Sequence, residues 1–117
     1  ADVGYARFLG SQLTEPDTLL LVADCAGRVA GYVYATLEPT SWVELRDACG
    51  YVHDVAVDAP MRRAGVARAL MEAACAWMTA RGAPRVVLLS AEQNVEAQRL
   101  FEQLGFRRTM VEFTREL

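Results

Sequence analysis

Apolar residues recur along this chain with two different periods, and the changes between the periods mark its elements. From Val66 they fall at Val66, Leu70, Ala73, Ala74, Trp77 and Met78, with Arg68, Glu72 and Arg81 on the other side. That is the spacing of a helix with one buried face. Gly82 suits the left-handed position that ends such a helix, and Pro84 follows it. Before the helix, residues 51–57 form a short run rich in β-branched and aromatic residues that stops at Asp58-Ala59-Pro60, which predicts a strand and a turn. Further upstream, residues 18–24 are a continuous apolar run, and residues 29–37 make a second strand behind Ala26-Gly27, so the two predict a hairpin. Alternation places Val29, Gly31, Val33, Ala35 and Leu37 on one face and Ala30, Tyr32, Tyr34 and Thr36 on the other, where Tyr32 and Tyr34 read first as packing partners and second as a substrate wall.

Tyr5, Phe8, Leu9 and Leu13 stand at helical spacing and predict a helix over residues 4–13, ended by Thr14-Glu15-Pro16-Asp17. Residues 38–50 keep no period and contain Pro39, Ser41, Trp42 and Asp47, so they read as a long connection. Residues 85–90 read as a buried strand. With a helical crossover between them, this strand and the one over 51–57 are expected to be parallel neighbours in a right-handed unit. Asn94 is placed to cap a helix over 95–104 with Ala97, Leu100, Phe101 and Leu104 on one face, and Gly105 stops it. Residues 106–117 are expected to return as a final, bulged strand. The fold class is α/β with a mixed sheet.

Length and composition narrow the functional classes. A chain of 117 residues is read as a single domain over 1–117, able to bury about two-thirds of its unfolded surface. Hydrophobic content of 53% with 23% charged residues is that of a globular protein, and no window reaches a membrane-spanning length. A net charge of −3 argues against nucleic-acid binding. Cys25, Cys49 and Cys75 lack a C-x-x-C spacing, which fits a reducing cytoplasm. One histidine and no spaced set of Cys, His and carboxylates leave no expected metal site. The first residue is Ala, so the N-terminus is processed or the chain is a piece of a longer one.

Between the central strand and helix lies Arg62-Arg63-Ala64-Gly65-Val66-Ala67. A loop running into a helix start exposes backbone N–H groups and the positive end of the dipole, which suits phosphate, and Gly65 lets the chain come close. This stretch resembles the GNAT N-acetyltransferases, whose signature [QR]-x-x-G-x-[GA] is matched by Arg62, Gly65 and Ala67. A second signature, N-x-x-A-x-x-x-[YF]-E-x-x-G-F, is matched by Asn94, Ala97, Phe101, Glu102, Gly105 and Phe106. The P-loop alternative fails, because G-x-x-x-x-G-K-[ST] is absent and the chain contains no lysine.

The resemblance implies a GNAT-like acyl-CoA N-acyltransferase fold lacking the family's first strand and helix. That would leave the edge at residues 18–21 open, so a homodimer or a further N-terminal segment is expected to cover it. It implies acetyl-CoA as co-substrate, no metal, and a small-molecule or peptide amine as acceptor. The pantetheine arm would pair with the backbone of Val55, Ala56 and Val57. Amides of Arg62, Arg63, Ala64, Gly65, Val66, Ala67 and Arg68 would hold the pyrophosphate. The three arginine side chains would reach the nucleotide phosphates or simply solvate the helix start. Asn94 and Phe101 complete the cofactor set, although a helix cap explains Asn94 fully.

Deprotonating an amine of pKa ~10.4 at pH 7 costs about 4–5 kcal/mol, so a base or a water chain must help. Relatives often place a carboxylate on the central strand near its splay, and the candidates here are Tyr51, His53 and Asp54. His53 stands where Glu is frequent, and an imidazole accepts a proton near neutral pH. The competing reading is a histidine bonded to its surroundings. Strand alternation sends Asp54 to the face opposite His53 unless the strand is bulged. Phe101 replaces the tyrosine that commonly protonates the leaving thiolate, so a water, Ser90 or unassisted departure must serve. The expected activity is direct acetyl transfer within a ternary complex; the other reading is a non-catalytic acyl-CoA-binding or regulatory module.

Overall fold

The structure, a computed structural model, describes residues 6–9, 16–25, 27–58 and 65–117. In chain order it contains β1 (Ala6–Leu9), β2 (Thr18–Cys25), β3 (Arg28–Glu38), β4 (Cys49–Val57), α1 (Val66–Ala80), β5 (Val86–Leu88) and α2 (Val95–Gln103). The strands form one sheet in the order β1-β2-β3-β4-β5. β1 to β4 run antiparallel to their neighbours, and β5 lies parallel to β4 across α1. The sheet is therefore mixed, as its pattern predicts.

α1 covers one face. Val66, Leu70, Met71, Ala74 and Met78 are buried along it and cluster with Leu19, Ala23, Ala30, Val33, Ala35 and Val52 of the sheet and Phe101 of α2. Both helices end as their sequences imply. Arg81 caps α1 and Gly82 follows at φ 83°, while the Asn94 side chain accepts the Ala97 N–H at the start of α2 and Gly105 follows its end at φ 94°.

Three expectations need correction. Residues 6–9, read as helical, are a strand paired with β2 from Ala6↔Cys25 to Leu9↔Val22. The other residues of that predicted helix lie outside those described. Gly4 and Gly10 weaken a helix there, and pairing with the β2 edge satisfies the backbone of residues 6–9 instead. β1 thus engages the β2 edge at Val22–Cys25, while residues 18–21, where the open edge is expected, pair with β3 alone among the described residues. Residues 106–117 form no strand, and Met110, Val111, Phe113 and Leu117 are exposed. Strand propensity is realised only against a paired neighbour, and this segment joins no ladder among the described residues. The strand expected over 85–90 is shortened to Val86–Leu88.

Two bulges interrupt the ladders. Ala23 pairs with Gly31 but Asp24 pairs with Val29, so Ala30 is the extra residue. It turns into the core, fully buried, and leaves Val29 60% exposed. The expected grouping of Val29 with Val33 and Ala35 is therefore reversed, since Ala30 and not Val29 points inward with them. The second bulge lies between β3 and β4: Tyr34 pairs with Asp54 and Ala35 with Val52, which makes His53 the extra residue.

Close packing also depends on two glycines without side chains. A Cβ at Gly31 would overlap the carbonyl oxygen of Ala56, and one at Gly50 would overlap the thioether of Met78. Gly31→Ala should cost about 1–3 kcal/mol, because rigid backbone must move. Gly50→Ala should cost less, since Met78 can repack. Urea unfolding checks the order; equal or negligible losses would contradict the packing.

Candidate active site

The site begins where two parallel strands part. β4 and β5 pair only at Gly50↔Val86, Tyr51↔Val87 and Val52↔Leu88. β4 runs on to Val57 with β3 still beside it, while the chain after Leu88 leaves the ladder and turns towards α2. A parallel ladder needs evenly spaced bonds, and the extra residue at His53 breaks that phase directly after the last pair. The result is an open cleft of about 170 Å³ with His53, Asp54 and Val55 on one wall, Leu89, Ser90 and Ala91 on the other, and Ala97 and Phe101 of α2 at its base.

The bulge decides which side chains meet. Alternation alone separates Asp54 from His53; with His53 as the extra residue, Asp54 comes opposite Tyr34 and joins the face that carries Tyr32, Tyr34 and Thr36. The Tyr32 hydroxyl donates to the Asp54 carboxylate at 2.5 Å. That hydrogen bond first, and the carboxylate's charge second, push the Tyr32 hydroxyl above the usual phenol range, so it stays a donor. The His53 ring stacks on Tyr51 at 4.5 Å between centroids and lies 5.1 Å from Tyr34. Its Nε2 is 2.7 Å from the Thr36 hydroxyl, which donates to Glu38 at 2.7 Å.

All three candidates on β4, Tyr51, His53 and Asp54, are therefore brought together. The sequence offers Tyr32 and Tyr34 as a substrate wall only in second place, and does not point to Thr36 or Glu38 as part of the site. Their signal was the alternation of β3, which already set Tyr32, Tyr34 and Thr36 on one face.

The remaining candidates sort by position. Ser90 lines the cleft and its hydroxyl donates to the Ala91 carbonyl at 3.3 Å. Phe101 is buried at the base, with its ring 6.0 Å from Phe106. Asn94 borders the cleft while capping α2. Val55 lines the same wall, and Ala56 and Val57 continue β4 beyond the splay.

Gly65 enters α1 at φ 79° with no side chain capping the helix start, and the first turn carries no acidic residue. Arg68, in that turn, donates to Gln103 at 3.0 Å and faces Glu72 at 3.7 Å, so its guanidinium is held against α1 and α2 residues. Its backbone N–H and those of Val66 and Ala67 belong to the first turn, where an α-helix has no internal acceptors. Arg62, Arg63 and Ala64 lie outside the described residues.

Other chemistries are less well served. Burial pushes the Cys49 thiol up, and burial with the nearby Glu72 does the same to Cys75, so neither is an activated nucleophile. Among the described residues no group of three or more His, Cys, Asp or Glu is placed to hold a metal ion. No helix among them is long and apolar enough to cross a membrane.

Comparison with known proteins agrees with this geometry. The model of the Acetyltransferase (GNAT) family matches residues 2–106. A mycothiol acetyltransferase of Thermobispora bispora is 36% identical over 92 residues, which are 78% of this chain and 30% of that protein. A glucosamine 6-phosphate N-acetyltransferase of Trypanosoma brucei brucei is 32% identical over 81 residues, 69% of this chain and 52% of that one. The chain thus spans about a third to a half of the length of these relatives. The solved aminoglycoside N-acetyltransferase AAC(6')-Iy, in complex with a bisubstrate analogue built on CoA, has a TM-score of 0.77 at 23% identity and covers 90% of this chain and 73% of its own. The fold, the splayed β4–β5 pair and the match over residues 2–106 together establish that the chain belongs to the GNAT acetyltransferase family.

Proposed function

We propose that the protein is an acetyl-CoA-dependent N-acetyltransferase that moves acetyl to a primary amine by direct transfer in a ternary complex. The observation that carries this reading is the parting of β4 and β5 at His53, which opens backbone and side chains of β4 to a cleft, on the strand that leads in sequence to a helix start with no side-chain cap. An extended pantetheine arm fits beside residues 55–57, where it would continue the sheet as a strand does. The pyrophosphate fits at the amides of residues 65–68, with Gly65 leaving no side chain between.

The acceptor first gives its ammonium proton to water at the open cleft; the neutral nitrogen then attacks the thioester carbonyl carbon, the C–S bond breaks, and coenzyme A leaves as thiolate. The proton that the amine nitrogen loses as the N–C bond forms passes to His53, an exposed imidazole at the cleft wall. Asp54, Glu38 and the phenols beside them make this mouth acidic and hydrogen-bonding, which favours a small cationic amine. The relatives named above for mycothiol, glucosamine 6-phosphate and aminoglycosides supply the range of acceptors to test. Phe101 supplies no proton, and a thiolate is a tolerable leaving group. That same Phe101 favours a second reading, an acyl-CoA-binding module without turnover.

Free thiol release over a panel of amines separates the two readings: release with any acceptor supports the enzyme, and none with all of them supports the module. Gly65→Asp places bulk and negative charge at the phosphate position and should weaken coenzyme A binding more than tenfold by calorimetry, about 1.4 kcal/mol. Unchanged affinity in a folded variant would remove the site. His53→Ala should abolish the fall of kcat/KM on the acid side, since protonation of an imidazole base is what produces it; a variant that keeps both rate and profile needs no base at this position. Phe101→Tyr should raise kcat by at most about tenfold with KM for acetyl-CoA unchanged, because assistance to a thiolate is worth little. A larger rise would show that departure of the thiol limits the rate.

A further inference from the structure

Thr36 takes no part in the mechanism as described and Glu38 enters it only through its charge, yet both are tied to the one histidine of the chain. A hydroxyl has one hydrogen to donate and a carboxylate only accepts. The Thr36 hydroxyl spends its hydrogen on Glu38 at 2.7 Å, so towards His53 Nε2, also at 2.7 Å, it can only accept. The hydrogen in that second contact must then sit on Nε2. A neutral imidazole carries one N–H, which leaves the lone pair on Nδ1.

We propose that Glu38, acting through Thr36, holds His53 in the Nε2–H tautomer and so makes Nδ1 the atom that takes the amine's proton. This rests on the reading of His53 as the base. In the reaction the amine N–H bond breaks as the N–C bond to the acetyl carbon forms, the proton goes to Nδ1, and the electron pair of the broken C–S bond leaves on sulfur. The imidazolium formed is then a donor at both nitrogens. Its Nε2–H already points at an oxygen whose acceptor strength Glu38 raises, so the charged form is stabilised without rearrangement.

Neighbouring groups on both strands are consistent with this assignment. From β3, Tyr34 lies against the ring, and Tyr32 is engaged with Asp54. From β4, Tyr51 stacks on the ring, and the Arg46 guanidinium of the preceding connection lies 5.0 Å over the far partner of that stack, Tyr51. None of these makes a hydrogen bond to Nδ1 among the described residues. The two aromatic rings hold the imidazole plane, while Thr36 sets which edge carries the hydrogen. Thr36 and Glu38 are positioning residues.

Because His53 is the chain's only histidine, two-dimensional 15N–1H spectra of the labelled protein read its tautomer without assignment. The wild type should show a single Nε2–H form at a pH where the ring is neutral. Thr36→Val removes the acceptor and should bring in the Nδ1–H form, with kcat down about three- to tenfold, the worth of one hydrogen bond, and KM for acetyl-CoA unchanged. Thr36→Ser keeps the hydroxyl and should restore both. Glu38→Ala frees the Thr36 hydrogen to turn to Nε2 and should shift the spectrum towards Nδ1–H. An Nδ1–H wild type, or a Thr36→Val protein unchanged in spectrum and kcat, overturns the proposal whatever the fate of the base assignment. The expected spectra together with a fully active His53→Ala protein would instead remove the base, overturning the catalytic half and leaving a tautomer that is only structural.

Discussion

The interruption of hydrogen-bond phase at His53 is the constraint on which the site depends. One extra residue in β4 is absorbed on the antiparallel side, where β3 re-pairs at Asp54. On the parallel side the β4–β5 ladder is not resumed, and the strands separate after three pairs. Antiparallel pairing tolerates a bulge because the partner strand can bend with it, whereas β5, held at its far end by the turn into α2, leaves. The same residue thus opens the cleft and delivers the side chains at its mouth, since it also turns Asp54 to the side of Tyr51 and His53.

Such a defect needs a rigid support. α1 provides it on the opposite face with Val66, Leu70, Met71, Ala74 and Met78, each burial of a large apolar side chain contributing about 1.5–3 kcal/mol. Small residues in the sheet, Ala23, Ala30, Ala35 and Gly50, let the helix settle close to the strands. The polar cluster lies outside this core, where water helps to solvate Glu38, His53 and Asp54. No titratable group of the site carries the cost of complete burial, which is consistent with a surface that meets a charged acceptor and releases it.

Much of this could be read in the chain itself. The helical period from Val66, the glycines after both helices, the Asn94 cap and the parallel arrangement across α1 all express local rules: side-chain periodicity, cap chemistry and the handedness of a crossover. The two signatures around Gly65 and Phe101 likewise depend on residues near in sequence, and the family follows from them. Gly65 is legible as the point where the chain can come close to an anion, and the structure adds the left-handed helix entry that glycine favours.

Pairing and register were decided only in three dimensions. The segment around Phe8 satisfies a helical spacing and a strand equally well, and the free edge of β2 chose the strand. Val111 and Phe113 have strand propensity but no partner strand among the described residues, so the propensity is unused. Most consequentially, nothing local in Val52-His53-Asp54-Val55 announces a bulge, because a bulge is a mismatch between two strands distant in sequence. The sequence determined which residues could do chemistry; the register of β3 against β4 determined that His53, Asp54, Thr36 and Glu38 would stand on one face.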